Sequence, residues 1–245
     1  MAHIRCRLLP YAVADGPHQM AADEVLLDTA ATGIASLRFY GWSPATLSLG
    51  YFQAERLRHT NRELERLPFV RRPTGGATLV HDHEVTYGLG LPAGPAWQAG
   101  EPWLRRMHAI IASALGKLDV PARMISPDRK DVAAGVLCFQ QFTAGDILLN
   151  SAKIVGSAQR RQRGALLQHG AILLAKSSHA PVLPGIQELS KKTLTIAEVV
   201  AAVSCEFAQQ TGWELVAEDW GADERRRIEE LVGDKYGRDR WNCKR

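Results

Sequence analysis

The chain has 245 residues, 46% of them hydrophobic and 23% charged, ordinary usage for a globular protein and enough length to bury one large core or two modest ones. That composition excludes a disordered, collagen-like or coiled-coil chain. Thirty Lys and Arg against 26 Asp and Glu leave a formal charge of +4, too weak a bias to point to nucleic acid, and no apolar run approaches the roughly 18 residues of a membrane span.

Near the start, residues 8–14 behind Arg5 and Arg7 faintly imitate a signal peptide, but Pro10 interrupts the run, and a cytoplasmic location is expected. Met20, Ala21, Val25, Leu26, Leu27 and Ala30 recur at helical spacing with Gly33 as a stop, which predicts an opening helix. Residues 36–42 and 46–52 read as strands around Ser43-Pro44, and a polar helix over 61–66 ends before Pro68. Residues 69–72, 77–81 and 85–91 are short β-branched and aromatic segments separated by Gly75-Gly76 and by His81-Asp82-His83-Glu84. Residues 103–118 put Leu104, Met107, Ile110, Ile111, Ala114 and Leu118 on one helical face, closed before Pro121.

Strands are expected again over 146–149, 153–158 and 165–174, with the basic run Arg160-Arg161-Gln162-Arg163-Gly164 as a hairpin tip. After a Pro/Gly-rich connector over 180–185, residues 196–210 read as a helix, 213–216 as a strand and 222–232 as a helix. This order predicts an α+β fold of mixed sheets packed with helices. A domain over 1–185 is expected to carry function, with 186–245 as a small helical extension of the same unit.

Cys6, Cys138, Cys205 and Cys243 lie far apart and form no C-x-x-C pair, so neither a zinc site nor a disulfide framework is suggested. Phosphate-loop signatures are absent, and Gly88-Leu89-Gly90 does not continue as G-x-G-x-x-G. On a strand, the histidines of His81-Asp82-His83-Glu84 would share a face, as metal ligands do; a polar corner between strands is preferred, and no metal is expected. Arg71-Arg72-Pro73-Thr74-Gly75-Gly76 runs a basic strand end into a glycine turn. That is either a tight hairpin or a loop that admits a ligand to its backbone while the arginines supply charge. Lys153, set among apolar strand residues in Lys153-Ile154-Val155-Gly156-Ser157-Ala158, either snorkels or works, because a buried ammonium without a partner is costly.

The combination Arg72-x-Thr74-Gly75-Gly76, His81, Lys153-x-x-Gly156-Ser157-Ala158 and His169-Gly170, in that order, resembles the lipoate and biotin protein ligase superfamily over residues 20–174. A weaker echo occurs in Lys235-Tyr236 and Trp241-Asn242. Cys138-Phe139 ahead of the lysine motif is most similar to the octanoyltransferases that load the glycine cleavage H protein. The resemblance implies the catalytic fold of that superfamily and acyl transfer through a thioester on Cys138, with Lys153 beside it. Arg72, Thr74, Gly75, Gly76, His81, Gly156, Ser157, Ala158 and His169 would form the substrate site. Octanoyl acyl carrier protein would be the donor, and glycine cleavage H protein or another lipoyl domain the acceptor, with no cofactor, nucleic acid or membrane involved. Arg71, Arg72, Arg160, Arg161 and Arg163 are candidates for docking acidic carriers, although for the tip arginines a solvated hairpin is preferred. The alternatives are an ATP-dependent lipoate ligase, in which ATP and Mg would enter and Cys138 would be irrelevant, an octanoyl amidotransferase between lipoyl domains, and a non-catalytic carrier-binding module.

Overall fold

The computed structural model describes residues 4–60, 62–126, 137–140 and 142–245, apart from the side chains of Thr60 and Cys138. Twelve strands are found among the described residues: β1 (Arg5–Leu8), β2 (Ala12–Ala14), β3 (Ser36–Trp42), β4 (Thr46–Leu49), β5 (Phe69–Arg71), β6 (Leu79–His81), β7 (Glu84–Leu91), β8 (Arg123–Met124), β9 (Ile147–Leu149), β10 (Ala152–Gln162), β11 (Ala165–Leu173) and β12 (Glu214–Ala217). The large sheet runs β12-β1-β3-β7-β11-β10-β9-β8, with β2 beside β3, and a small sheet runs β5-β4-β6. The expected mixture of sheets and helices is therefore the fold.

The helix Gly16–Ala31 starts where Asp15 accepts the His18 backbone N–H at 3.0 Å, with proline in its first turn. It lies on one face of the large sheet, while the helices Trp103–Lys117 and Ile196–Thr211 pack on the other face against Leu37, Phe39, Val85, Tyr87, Leu89 and Ile172. Alternation along β7 divides these layers. Its odd positions, Val85 to Leu91, enter the larger core. On the even side Gly88 and Gly90 leave room for the opening helix: a Cβ on Gly90 would come within 2.7 Å of the Leu26 carbonyl oxygen. The Gly-Leu-Gly that fails as a nucleotide signature is thus a close helix-to-sheet contact.

One part of the chain differs from the sequence expectation. The segment 5–14 forms β1 and β2, parallel neighbours of β3, with β12 joining β1 from the far end of the chain. Residues 186–245 supply the expected strand as β12 and add Val199, Val203 and Phe207 to the larger core. The terminal helix Asp239–Asn242 fastens β5, where the Arg71 backbone N–H meets Asn242 Oδ1 at 2.9 Å and Trp241 Nε1 meets the Arg71 carbonyl at 2.9 Å. No helix among the described residues is long and apolar enough to cross a membrane.

Candidate functional site

The glycine turn between β5 and β6 is fixed from below. Arg72, buried at 6% exposure, donates through Nη2 to the carbonyls of Gly75 (3.0 Å) and Ala77 (2.9 Å), and through Nη1 to Ser48 Oγ at 2.6 Å. Gly76 sits at φ +93, a conformation that favours glycine. Gly50 runs so close beneath it that a Cβ there would lie 1.9 Å from the Gly76 carbonyl oxygen. At the head of the turn Thr74 Oγ1 lies 2.7 Å from His169 Nε2, and the other ring nitrogen of His169 lies 2.6 Å from Asp23 Oδ2. Asp23 also accepts Tyr40 Oη at 2.8 Å and Arg38 Nη1 at 3.1 Å, all of these groups being buried.

Lys153 stands on β10, where the pairing with β9 shifts register between Lys153 and Val155, a bulge that re-aims a side chain. Its ammonium, 5% exposed, lies 2.7 Å from Asp146 Oδ2 and 5.3 Å over the Phe139 ring. Asp146 is itself held by the Thr143 backbone N–H (2.8 Å) and hydroxyl (3.0 Å). His108 donates through Nδ1 to the adjacent Gly145 carbonyl at 2.6 Å, and burial pushes its pKa down. Gly156 leaves the lysine its path, since a Cβ there would meet Lys153 Cε at 2.5 Å and Nζ at 2.9 Å.

The Cys138 side chain lies outside the described residues. Its main chain belongs to the 3-10 turn Cys138–Gln140, between Leu137, bridged to Thr78, and Phe139. Phe139 lines a cavity shared with Met20, Tyr40, Trp42, Arg72, Gly76, Leu79, His81, Thr86 and His169. Gly156, Ser157, Ala158, Gly170 and Ala171 form the sheet floor. His81 stacks on Trp42 with centroids 3.8 Å apart, and its ring nitrogens lie 2.7 Å from Ser48 Oγ and 2.6 Å from Glu84 Oε1. Burial lowers its pKa.

The structure thus gathers Arg72, Gly76, His81, Gly156, Ser157, Ala158 and His169 around one cavity, with Thr74 and Gly75 in the turn beside it and Lys153 next to Gly156. One expectation is corrected. Arg71 has no exposure and binds the carbonyls of Gly50, Gln53 and Asn242, and Arg72 is buried beneath the glycine turn, so neither is a docking residue. Arg160 and Arg161 bond the Pro73 carbonyl and Gln98 Oε1, with Arg161 and Arg163 exposed at the hairpin tip. The preferred polar corner at His81-Asp82-His83-Glu84 forms: the chain turns between β6 and β7 and leaves the His83 side chain 60% exposed. Sequence reasoning missed Asp23, Asp146 and His108. The available signal was the acidic pair Asp23-Glu24 inside the apolar run 20–27 for Asp23, and for Asp146 a carboxylate opening a strand just before the lysine motif.

Comparison with known proteins adds an independent line. Residues 15–180 match the model of the lipoyl protein ligase A/B catalytic domain. The octanoyltransferase LipM of Geobacillus kaustophilus is 34% identical, the match covering 92% of this chain and 93% of that protein. LipM of Kyrpidia tusciae is 31% identical over 98% of each. A lipoate-protein ligase A bound with ATP has the same fold at a TM-score of 0.79, with 22% identity over 98% of this chain and 99% of that one. The bi-partite lipoate protein ligase of Thermoplasma acidophilum gives 0.72 at 18% identity over 98% and 96%.

Proposed function

The chain belongs to the lipoyl protein ligase A/B catalytic-domain family and is an acyltransferase, and from this we propose that it moves an octanoyl group from acyl carrier protein to a lysine of a lipoyl domain, such as glycine cleavage H protein, through a thioester on Cys138. The observation that carries the reading is the buried, fixed Lys153 ammonium against Gly156, a floor residue of a largely apolar cavity. The cavity crosses β10, β11, β7 and β3, three strand spacings or about 14 Å. An extended eight-carbon chain, at about 1.2 Å per bond, spans about 9 Å and gains about 0.8 kcal/mol per buried methylene.

In the first transfer the Cys138 sulfur gives up its proton and bonds to the donor's thioester carbonyl carbon; the carrier thiolate leaves and takes up a proton. In the second, the acceptor lysine's neutral amine bonds to the same carbon, Cys138 leaves, and the proton lost by the amine returns a thiol. A cation beside the sulfur favours the thiolate, which is the nucleophile. The same ammonium stabilises negative charge building on the carbonyl oxygen. Asp146 fixes where that charge sits, and Gly156 lets it sit there. Neither transfer consumes a nucleotide. We assign catalysis to residues 1–185, with 186–245 extending the same unit.

Intact-mass analysis after incubation with octanoyl acyl carrier protein, without ATP, tests this reading. A gain of one octanoyl group that disappears in Cys138→Ala is expected. Absence of the adduct, together with ATP-dependent lipoylation of an acceptor domain, sinks the reading in favour of a ligase.

A further inference from the structure

Asp23, His169 and Thr74 form a line of buried hydrogen bonds that neither acyl transfer uses. The carboxylate of Asp23 accepts from every neighbour that reaches it: Arg38 Nη1 on Oδ1, and Tyr40 Oη with His169 Nδ1 on Oδ2. An ionised carboxylate is acceptor-only, so the imidazole nitrogen facing it carries a proton. In the neutral ring the lone pair then lies on Nε2, which accepts the Thr74 hydroxyl proton across 2.7 Å.

We infer that Asp23 and His169 are positioning residues: Asp23 selects the Nδ1–H form of His169, whose Nε2 latches Thr74 and so holds the glycine turn over the acyl cavity. The identification of the ligand as an acyl chain rests on the function proposed above. Thr74 is the point where such a latch acts. It heads the turn that brings Gly76 to the cavity, and its carbonyl accepts the Tyr51 backbone N–H at 2.8 Å, so the Gly50–Tyr51 segment moves with it. His169 borders the same cavity from β11. An apolar contact would hold the opening helix to the sheet without the desolvation cost of the buried Asp23–Arg38 pair. Fixing the tautomer of a histidine is what a carboxylate adds.

Substituting Asn for Asp23 separates the two effects. The new amide NH₂ avoids Arg38, which is donor-only, and turns to the Oδ2 side, where Tyr40 can rotate its hydroxyl to donate elsewhere. His169 Nδ1 must then accept, so the proton moves to Nε2, and the Thr74 hydroxyl, a donor and an acceptor both, turns to accept it: the tautomer changes and the bond is kept with its direction reversed. Thr74→Val removes the bond under either tautomer. One neutral buried hydrogen bond is worth about 0.5–1.5 kcal/mol, or roughly three- to ten-fold in affinity.

The test is ¹⁵N NMR of the histidine-labelled protein, octanoate affinity by calorimetry, and steady-state kinetics with the octanoyl donor. Expected are an Nδ1–H His169 in the unmodified protein and an Nε2–H His169 in Asp23→Asn. Thr74→Val should raise octanoate Kd and donor KM roughly three- to ten-fold, with kcat changed less than KM and the His169 proton unmoved, and Thr74→Ser should restore them. An Nε2–H ring in the unmodified protein, or full octanoate affinity in Thr74→Val, overturns the latch. If Asp23→Asn does not fold, those two measurements still decide. Tautomer and octanoate affinity need no turnover, so a protein that fails to form the Cys138 adduct but keeps both signatures refutes the transferase reading and leaves the latch intact.

Discussion

Replacing Gly156 with Ala isolates the lysine's position from the stability of the fold. Nothing strains the backbone at this strand position, and the added methyl would overlap only Lys153 Cε at 2.5 Å and Nζ at 2.9 Å. Those atoms are the far end of a flexible side chain and not backbone, so the ammonium yields by about 1 Å without moving the strand. Its bond to Asp146, 2.7 Å long, cannot survive such a shift unaltered, and a misplacement of about 1 Å in a catalytic group costs on the order of 100-fold in rate. Gly170→Ala is the control. Its methyl would meet the Gly156 carbonyl oxygen at 2.6 Å and Tyr87 Cε1 at 2.7 Å, backbone and a buried ring that cannot step aside, at about 1–3 kcal/mol. In a chain of this length that lowers Tm by about 2–10 °C. Thermal unfolding beside initial rates of octanoyl transfer separates the two variants. Gly156→Ala retaining rates within about threefold, or losing as much stability as Gly170→Ala, would refute the placement of Lys153.

Asp146→Ala leaves the buried Lys153 ammonium without its carboxylate and should cost about 3–5 kcal/mol; adding Lys153→Met should recover most of the stability, but not transfer, in denaturant titrations and rate assays. Arg71→Ala strips donors from the carbonyls of Gly50, Gln53 and Asn242 and should lower Tm by about 10 °C, with Arg71→Lys failing to rescue because an ammonium lacks the guanidinium fork. The Glu206 carboxyl, bonded by Lys117, Ser113 and Gln210, is held down at about 2. A depressed folded pKa stabilises above the unfolded carboxylate value of about 4.3 and is lost as pH falls from there toward 2. Glu206→Gln should therefore flatten the acid loss of Tm across that window, and an unchanged profile would exclude the assignment.

What could be read from the sequence was whatever acts over a few residues. The segment 36–42 is β3 to the residue, because alternation and flanking turn residues mark a strand wherever it packs. The helix over 103–118 and the hairpin over 153–174 appear within a few residues of their expected ends for the same reason. β1 was invisible because Arg5-Cys6-Arg7-Leu8 is short, and its partners, β3 and β12, lie far along the chain. No local rule connects residue 6 with residue 215.

The site divides along the same line. Arg72, Gly76, His81, Lys153 and His169 were legible as residue types in family order. Their partners Asp23, Asp146 and His108 were not, since a carboxylate on a helix or at a strand start has the same local signature whether it faces water or an ammonium. Gly156 shows what this does to interpretation. In the sequence, Gly156 enters only through the family motif, as a residue of the substrate site. In the folded chain the group that occupies the vacant Cβ position is that same lysine, crossing its own strand toward Asp146. The motif's spacing therefore reflects the course of one side chain as well as substrate access, and Lys153, Gly156 and Asp146 constrain one another as a unit.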